Sequence, residues 1–284
     1  VDGIYYNITD TVALTVEVTY ENTSYNSYSG KVVIPNVVIN GDVSYSVTSI
    51  GDYAFYKSSL LTSVELPLSL SRIGTYAFGS SGLLSFIIPE SIVSIDKFAF
   101  NRCGALTDLI IPSNVKSLGE GAFSYCYALK SVKIQDGVTS LNMRMFRSCT
   151  SLTSIDIPSS VVNIYSEAFQ ECNSLSTVIL PVGLKSIASK AFYKCANLAT
   201  INFPEGLTEI EERAFYECSN LTNIELPSSL TKLGNYAFQA CTSLSSVTIQ
   251  GLVTGGNACF YGCTNLSNVV FNAPNCNQIG GTTD

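Results

Sequence analysis

Cysteine offers more chemistry than any other residue type in this 284-residue sequence, which contains ten cysteines and no histidine. A thiol can serve as a nucleophile, as a metal ligand or as half of a disulfide. Without histidine, neither a Ser-His-Asp nor a Cys-His arrangement can be assembled. No Cys-x-x-Cys pair occurs either, which disfavours a zinc site. The choice is therefore between a disulfide framework and unreactive thiols.

The spacing of the cysteines favours unreactive thiols. Eight cysteines stand three residues after a recurring phenylalanine, and Ser58 and Ser81 occupy the same slot in the first two intervals. A slot that accepts cysteine or serine is small and buried, and free cysteine behaves there as a small apolar residue. We predict a stacked column of buried thiols, with a disulfide as the alternative, whereas Cys259 and Cys276 lie outside the column. The eight are Cys103, Cys126, Cys149, Cys172, Cys195, Cys218, Cys241 and Cys263.

Carboxylates are the other side chains that could act in catalysis. Three glutamates cluster within residues 209–212, but Arg213 follows them and the stretch is typical of a solvated edge. Residues 79–82 read Gly-Ser-Ser-Gly, without the lysine and the strand-to-helix context of a phosphate-binding loop. We therefore predict that the protein is not an enzyme and has no catalytic residues, no cofactor and no metal.

Composition narrows the classes of partner. The net charge is −7 and only 13% of residues are charged, so the basic stripe that a nucleic-acid binder needs is missing. No apolar run approaches the roughly 20 residues of a membrane span. A surface rich in serine, threonine and asparagine favours an exported protein. Because Val1 is not a natural start, we expect that a preceding segment has been removed.

The elements that position these residues are copies of one unit of about 23 residues. Ten units occupy residues 50–271, and the steps between their phenylalanines are 23 residues except for two steps of 22, Phe78 to Phe100 and Phe238 to Phe260. A fixed period of this length is typical of an array that grows by stacking. The recurring residues are Phe55, Phe78, Phe100, Phe123, Phe146, Phe169, Phe192, Phe215, Phe238 and Phe260.

Each unit contains one short strand. Two apolar residues separated by two positions point inward, from Val64 and Leu66 in the first unit to Val269 and Phe271 in the last. Proline follows the strand in most units and ends its pairing. The pattern predicts one parallel sheet of stacked strands, with the phenylalanine filling the centre of each rung. The last unit departs from the pattern, because Gly255 stands where an aliphatic residue belongs.

The two ends of the chain lie outside this array. Residues 1–49 include a strand-like alternation at 14–20 and a hairpin turn at Asn40-Gly41. We predict that they form an N-terminal β cap, since a terminal rung otherwise exposes apolar surface and unpaired strand edges. Residues 272–284 are loop-like and form a C-terminal tail or the start of a further segment.

The unit L-x-x-[VIL]-x-[IL]-P-x-x-[VL]-x-x-[IL]-x-x-x-A-F-x-x-C, well shown by residues 191–210, resembles the BspA-like leucine-rich-repeat family. The resemblance covers about residues 31–271, and residues 2–9 and 47–55 also look like the usual N-terminal cap of this family. It implies a β-rich leucine-rich-repeat solenoid, right-handed, with a parallel sheet on one face and an N-terminal β cap. It further implies a protein that is secreted or located at the bacterial cell surface, with a role in adhesion or protein binding.

One face of the predicted sheet is the candidate binding surface. The residue between the two inward strand positions must face outward, and solenoids use such continuous faces for extended partners. We predict a host or extracellular protein as the partner, although these residues also fit ordinary β-formers on a solvated sheet. The candidates are Glu65, Ile87, Asp108, Ile110, Lys133, Asp156, Ile179, Asn202, Asn223 and Glu225.

Two other functions stay open. Exposed aromatic rings can stack on sugars, so a glycan-binding surface module is one alternative, although gaps in the tyrosine columns disfavour a regular strip. A structural scaffold that carries other domains is the second alternative. The columns are Tyr53, Tyr76 and Tyr236, two residues before the phenylalanine, and Tyr56, Tyr193, Tyr216 and Tyr261, one residue after it.

Overall fold

A computed structural model describes residues 3–25 and 27–272 of the chain. The chain divides into two compact units, Val1–Val138 and Thr139–Asp284. Within the described ranges the chain forms strands and turns and contains no helix. In both units the repeat folds into stacked coils, each with a longer strand on one side and a two-residue strand on the other.

The first unit begins with a β-rich N-terminal region and continues into the first coils of the repeat. Its strands are β1 (Tyr5–Asp10), β2 (Thr15–Thr19), β3 (Gly30–Val33), β4 (Val37–Asn40), β5 (Val43–Ile50), β6 (Leu61–Glu65), β7 (Arg72–Ile73), β8 (Ser94–Ile95), β9 (Asp108–Ile111), β10 (Ser117–Leu118) and β11 (Ser131–Ile134).

The N-terminal strands continue both sides of the first coil. β1 pairs antiparallel with β2, β2 pairs parallel with β5, and β5 pairs parallel with the short strand β7. β4 and β5 form the predicted hairpin, in which Asn40 lies opposite Val43 and Gly41 has a φ of 62°. On the other side, β3 pairs parallel with β6. That this region acts as a cap stays a prediction.

The described residues of the second unit, 139–272, form coils of the repeat. Their longer strands pair in parallel, β15 with β17, β19 with β21, and β21 with β23, and their two-residue strands form one continuous parallel ladder from β12 to β22. The strands are β12 (Ser140–Leu141), β13 (Ser154–Asp156), β14 (Asn163–Ile164), β15 (Thr177–Ile179), β16 (Ser186–Ile187), β17 (Thr200–Asn202), β18 (Glu209–Ile210), β19 (Asn223–Leu226), β20 (Lys232–Leu233), β21 (Ser246–Ile249), β22 (Thr254–Gly255) and β23 (Asn268–Phe271).

The core of each unit is a file of phenylalanine rings. Phe55 and Phe78 stack with centroids 5.0 Å apart, and Phe192 and Phe215 stack at 5.1 Å. These spacings are close to the distance between neighbouring strands, so backbone pairing places each ring over the next. The rings from Phe55 to Phe238 are fully buried. The prediction that this residue fills the rung is therefore confirmed.

The second limb of each coil is short extended structure, and its two-residue strands pair in parallel within each unit. Two sequence-based expectations need correction. The strand expected near Phe86 and Ile88 does not form, although both side chains are buried. We attribute this to the missing residue of that unit, which lies in the turn before the strand. In the last strand, Val269 and Phe271 are 43% and 45% exposed rather than buried. They lie in the last of the described strands, where no later described coil covers them.

Two residues of each coil adopt a left-handed backbone, which sequence reasoning missed. They stand two positions before and after the phenylalanine, as at Lys190 and Lys194, with φ values of 57° and 59°. This conformation costs roughly 1–2 kcal/mol for a residue with a side chain. It is offset by hydrogen bonds from the amides of Lys190 and Lys194 to the next coil, at 3.0 and 2.8 Å. Only Gly121 and Gly262, at equivalent positions, signal it in the sequence.

Substitution of Gly119 by alanine is expected to destabilise the first unit by about 1–3 kcal/mol, as overpacking does in well-packed cores. A Cβ atom at Gly119 would lie 2.2 Å from the backbone nitrogen of Lys97, which cannot move aside as a flexible side chain can. Chemical denaturation measures the change. At Gly104 the nearest heavy atom would lie 3.6 Å away, so Gly104→Ala is the matched control. Similar losses in the two variants would contradict the close approach of the coils.

Candidate functional site

The cysteine column forms inside the two units as predicted, and none of its eight cysteines forms a disulfide. All eight are buried. Within a unit, each thiol characteristically donates to the phenylalanine carbonyl of the preceding coil, as from Cys195 to Phe169 at 3.1 Å and from Cys218 to Phe192 at 3.2 Å. Cys259 is also free and buried, while Cys276 lies outside the described residues.

Burial makes several of these thiols poor nucleophiles, although a hydrogen bond with Cys241 lowers the pKa of Cys263 at the end of the column. Burial raises the pKa of Cys103 to about 12 and the pKa of Cys195 well above that of a free thiol, because a thiolate loses its hydration there. At Cys259 burial raises the pKa to about 11. Since the thiolate is the reactive form, the column is structural in character.

The glutamate cluster lies on a partly exposed edge, as predicted. Glu209 forms an ion pair with Lys232, and Glu212 forms one with Arg213 at 2.6 Å. Glu211 accepts a hydrogen bond from the backbone amide of Ser189 at 2.8 Å. Over residues 3–25 and 27–272, no group of three or more histidine, cysteine, aspartate or glutamate residues is arranged to hold a metal ion. In the same ranges no helix is long and apolar enough to span a membrane.

In the first unit the predicted face carries both apolar and charged side chains. Ile87 is 84% exposed and Ile110, on β9, is 56% exposed. Lys133 on β11 lies beside Ile110 in the strand register. The hydroxyl of Ser131 donates to Asp108 at 2.7 Å and lowers the pKa of that carboxyl.

The same face in the first unit holds one ion pair. Glu65 lies at the end of β6 and forms an ion pair with Lys31 of the adjacent strand β3. All the predicted residues of this unit therefore lie at the outer surface of the coils, although Ile87 does so from an irregular segment rather than from a strand.

In the second unit the face is more polar. Asp156 on β13 is exposed, and Ile179 on β15 is 76% exposed and lies beside Asn202 of β17 in the register. Asn202, Asn223 and Glu225 line one groove of about 590 Å³. The structure thus brings three of the predicted residues together.

This groove also contains residues outside the list of candidates. Ser246 and Thr248 belong to β21 and stand at outward positions of the same pattern, whereas Glu205 lies past the end of its strand and was missed by sequence reasoning. The sequence selected only the outward strand positions, so a residue in the following turn was overlooked. Periodicity could not identify Glu205, because the same position in most other units holds a different residue type.

Tyrosines of the first unit gather into a cluster larger than either predicted column. Tyr53 stacks on Tyr76 at 5.4 Å, and Tyr76 stacks on Phe98 at 5.1 Å. Tyr25 packs against Tyr53 and against Tyr56. In the second unit, Tyr193 and Tyr216 stack at 4.9 Å. Phe98 and Tyr25 join the cluster through contacts that the columns did not show.

Stacked coils with a buried file of leucine, isoleucine and phenylalanine, and with parallel strands on one side, define a leucine-rich-repeat protein. The model of the BspA type leucine rich repeat region, with six copies, matches residues 48–176 and 162–283. The chain therefore belongs to the BspA type leucine-rich-repeat family. A fold of this type typically serves as a scaffold for binding.

Several solved structures are similar to this chain. The Treponema pallidum leucine rich repeat protein is 27% identical, with a TM-score of 0.55 over 78% of this chain and 88% of that chain. The pneumococcal vaccine antigen PcpA is 21% identical, with a TM-score of 0.53 over 96% and 86%. A leucine-rich repeat protein from Bacteroides ovatus is 27% identical, with a TM-score of 0.48 over 95% and 93%. No curated protein matches the chain.

Proposed function

We propose that this chain is a non-enzymatic binding protein, secreted or located at the bacterial cell surface, that adheres to a host or extracellular protein. The contact is made through the outward face of the longer strands. Family membership supports a binding role, and a surface rich in serine, threonine and asparagine with only 13% charged residues supports export.

The observation that carries this proposal is the exposure of large aliphatic side chains on the strand face. Ile87, Ile110 and Ile179 are 84%, 56% and 76% exposed. None of them fills a rung of the core, so the packing of the coils does not require an isoleucine there. Exposed apolar side chains among polar neighbours are a common feature of protein-binding surfaces.

Ile110→Lys is expected to weaken partner binding at least about tenfold while leaving the folded structure intact. The lysine removes apolar contact and places a charge at the interface, and burying an unpaired charge is costly. Binding of the full chain to immobilised extracellular-matrix proteins, followed by surface plasmon resonance, measures the loss. Thermal unfolding of the same variant checks the fold.

The control is Lys130→Ala, a change at a solvent-facing residue of the turn before β11 that is not among the candidate residues. It alters the surface charge of the same unit without touching the isoleucines. If Ile110→Lys and the control bind equally well to every matrix protein captured by the wild type, the strand face is not the contact surface.

Glycan binding is the second candidate function, and the aromatic cluster of the first unit favours it. Tyr53, Tyr56 and Tyr76 are half-buried at the outer surface, and Lys57 lies 5.2 Å from the ring of Tyr56. A glycan array with the wild type and with Tyr76→Ala separates this function from protein binding. Failure in both the matrix assay and the array would leave the scaffold role as the alternative.

A further inference from the structure

Two carboxylates in the groove of the second unit are held by hydrogen bonds from the neighbouring coil. Glu205 accepts a hydrogen bond from the hydroxyl of Ser228 at 3.0 Å, and Glu225 accepts one from the side-chain amide of Gln250. Both donors are neutral. Each carboxylate is thereby oriented by the neighbouring coil without being neutralised.

Four other glutamates of this unit, among them Glu167 and Glu217, form ion pairs with a lysine or an arginine. Glu167 pairs with Arg144 and Arg147 at 2.9 and 2.7 Å, and Glu217 pairs with Lys194 at 3.6 Å. Among the described residues, no ion pair involves Glu205 or Glu225. The residues that line the groove include both glutamates and neither lysine nor arginine. In this groove, therefore, two carboxylates lie together on the outer face without an ion-pair partner.

Neighbouring residues hold the side-chain amides of Asn202 and Asn223 by hydrogen bonds. The side-chain oxygen of Asn223 accepts hydrogen bonds from the hydroxyls of Ser245 and Ser246, at 3.0 and 2.8 Å. The side-chain oxygen of Asn202 accepts one from the backbone amide of Leu180 at 3.2 Å. The side-chain nitrogen of Asn202 donates to the carbonyl of Leu180 at 3.5 Å. The donor left for a ligand is the side-chain nitrogen of the exposed Asn223, and a peptide carbonyl is its natural acceptor.

We propose that this groove accepts an extended, basic segment of the protein partner, with lysine or arginine side chains at Glu205 and Glu225. This inference rests on the proposed function and adds the chemistry of the partner to it. Charge complementarity selects the occupant, because opposite charges across an interface favour the encounter and set the register. Asn223 holds the backbone of the segment, and the carboxylates select its side chains.

Among the described residues of the first unit, the strand face offers no equivalent site. There Glu65 already pairs with Lys31, and Lys133 lies beside Ile110. A basic segment would meet positive charge on that face and an apolar surface between the charges. The two units are therefore expected to contact chemically different parts of a partner.

Three capped synthetic peptides of about ten residues test the proposal, each long enough to extend along a strand face. In the first peptide threonine alternates with lysine, in the second with glutamate, and in the third with serine. The full chain is expected to bind the lysine peptide, with an affinity that falls as salt is added, and not the other two. Isothermal titration calorimetry measures each affinity. No binding of the lysine peptide to the wild type, or equal binding of the glutamate peptide, would overturn the proposal.

The double variant Glu205→Gln/Glu225→Gln keeps the shape of both side chains and removes their charge. Its affinity for the lysine peptide is expected to fall by about tenfold or more. Glu209→Gln/Glu212→Gln removes the same charge outside the groove and should change the affinity by less than about twofold. An equal loss in both double variants would show attraction by net charge alone and would refute the site.

The outcome is separable from the proposed function. If capture of a matrix protein depends on Ile110 but not on Glu205 and Glu225, the proposed role of the groove is refuted and the proposed function is still supported. Binding of the lysine peptide without capture of any matrix protein would support the groove and count against adhesion. Unchanged thermal unfolding of both double variants confirms that the comparison is made between folded proteins.

Discussion

Replacing Phe192 with alanine is expected to lower the free energy of unfolding of the second unit by about 3–5 kcal/mol. The ring is fully buried and lies between Phe169 and Phe215, at 5.1 Å from each. Its removal leaves a cavity in the middle of the file, and both neighbours lose a stacking partner. Because each coil contacts mainly the coils before and after it, the loss should begin locally.

Chemical denaturation measures the overall change, and hydrogen exchange locates it. The amide of Phe192 donates to the carbonyl of Ala214 at 2.8 Å, and the amide of Phe215 donates to Ala237 at 2.8 Å. These amides should exchange faster in the variant than amides several coils away. Ile179→Lys is the control in the same unit, since Ile179 is 76% exposed and its replacement should cost less than about 0.5 kcal/mol. Equal destabilisation by the two changes would refute the assignment of inward and outward positions.

The second large effect is expected in alkaline solution, under reducing conditions. Burial raises the pKa of Cys103 to about 12 and raises the pKa values of Cys172, Cys195 and Cys218 well above that of a free thiol. In the unfolded chain these thiols lose their protons near pH 9, whereas the native protein retains them. Above that pH the native state binds more protons than the unfolded state, so stability falls as the pH rises.

Because a thiol of the unfolded chain is half ionised near pH 9, each such thiol should remove about 1 kcal/mol of stability between about pH 9 and about pH 10. The four together amount to about 4 kcal/mol, which is a large share of the stability of a typical domain. Denaturation midpoints measured across this window test the slope. The ultraviolet absorbance of thiolate shows when the protons leave.

Cys195→Ser is the matched variant for this titration, because serine occupies the same slot at Ser58 and Ser81. Its slope should be smaller than that of the wild type by the contribution of one thiol. A stability that stays level to about pH 10, or thiols that titrate near pH 9 in the folded protein, would mean that the column is open to solvent.

Much of the fold could be predicted because the copies of a repeat can be aligned with one another, which shows the residues that occupy equivalent positions. A phenylalanine at a 23-residue period, such as Phe192 followed by Phe215, fixes which residues stack, and the stacking distance then follows from strand pairing. The small slot at Cys195 predicted a buried thiol for the same reason. The alternation within one strand also sufficed to place Ile110 and Ile179 at the surface, since neighbouring strand residues face opposite sides.

The candidate groove could be predicted only in part. Asn202, Asn223 and Glu225 stand at outward strand positions, so the alternation selected them. Glu205 follows a turn, where no period dictates the direction of a side chain. Its orientation depends on Ser228 of the next coil, which lies 23 residues away in sequence and is a hydrogen-bond partner only in the stack.

The amino-acid sequence by itself determined the family of the fold, the buried files of phenylalanine and cysteine, and the outward face of the strands. These features depend on the repeat period and on the alternation of residues along a strand, both of which are visible in the sequence itself. Only the tertiary structure decided which carboxylates keep an unneutralised charge, why Val269 and Phe271 are exposed, and that residues such as Lys190 adopt a left-handed backbone. Each of these features depends on whether the adjacent coil provides a hydrogen-bond partner, a counter-charge or a covering side chain. A periodic sequence pattern does not show which of these contacts form.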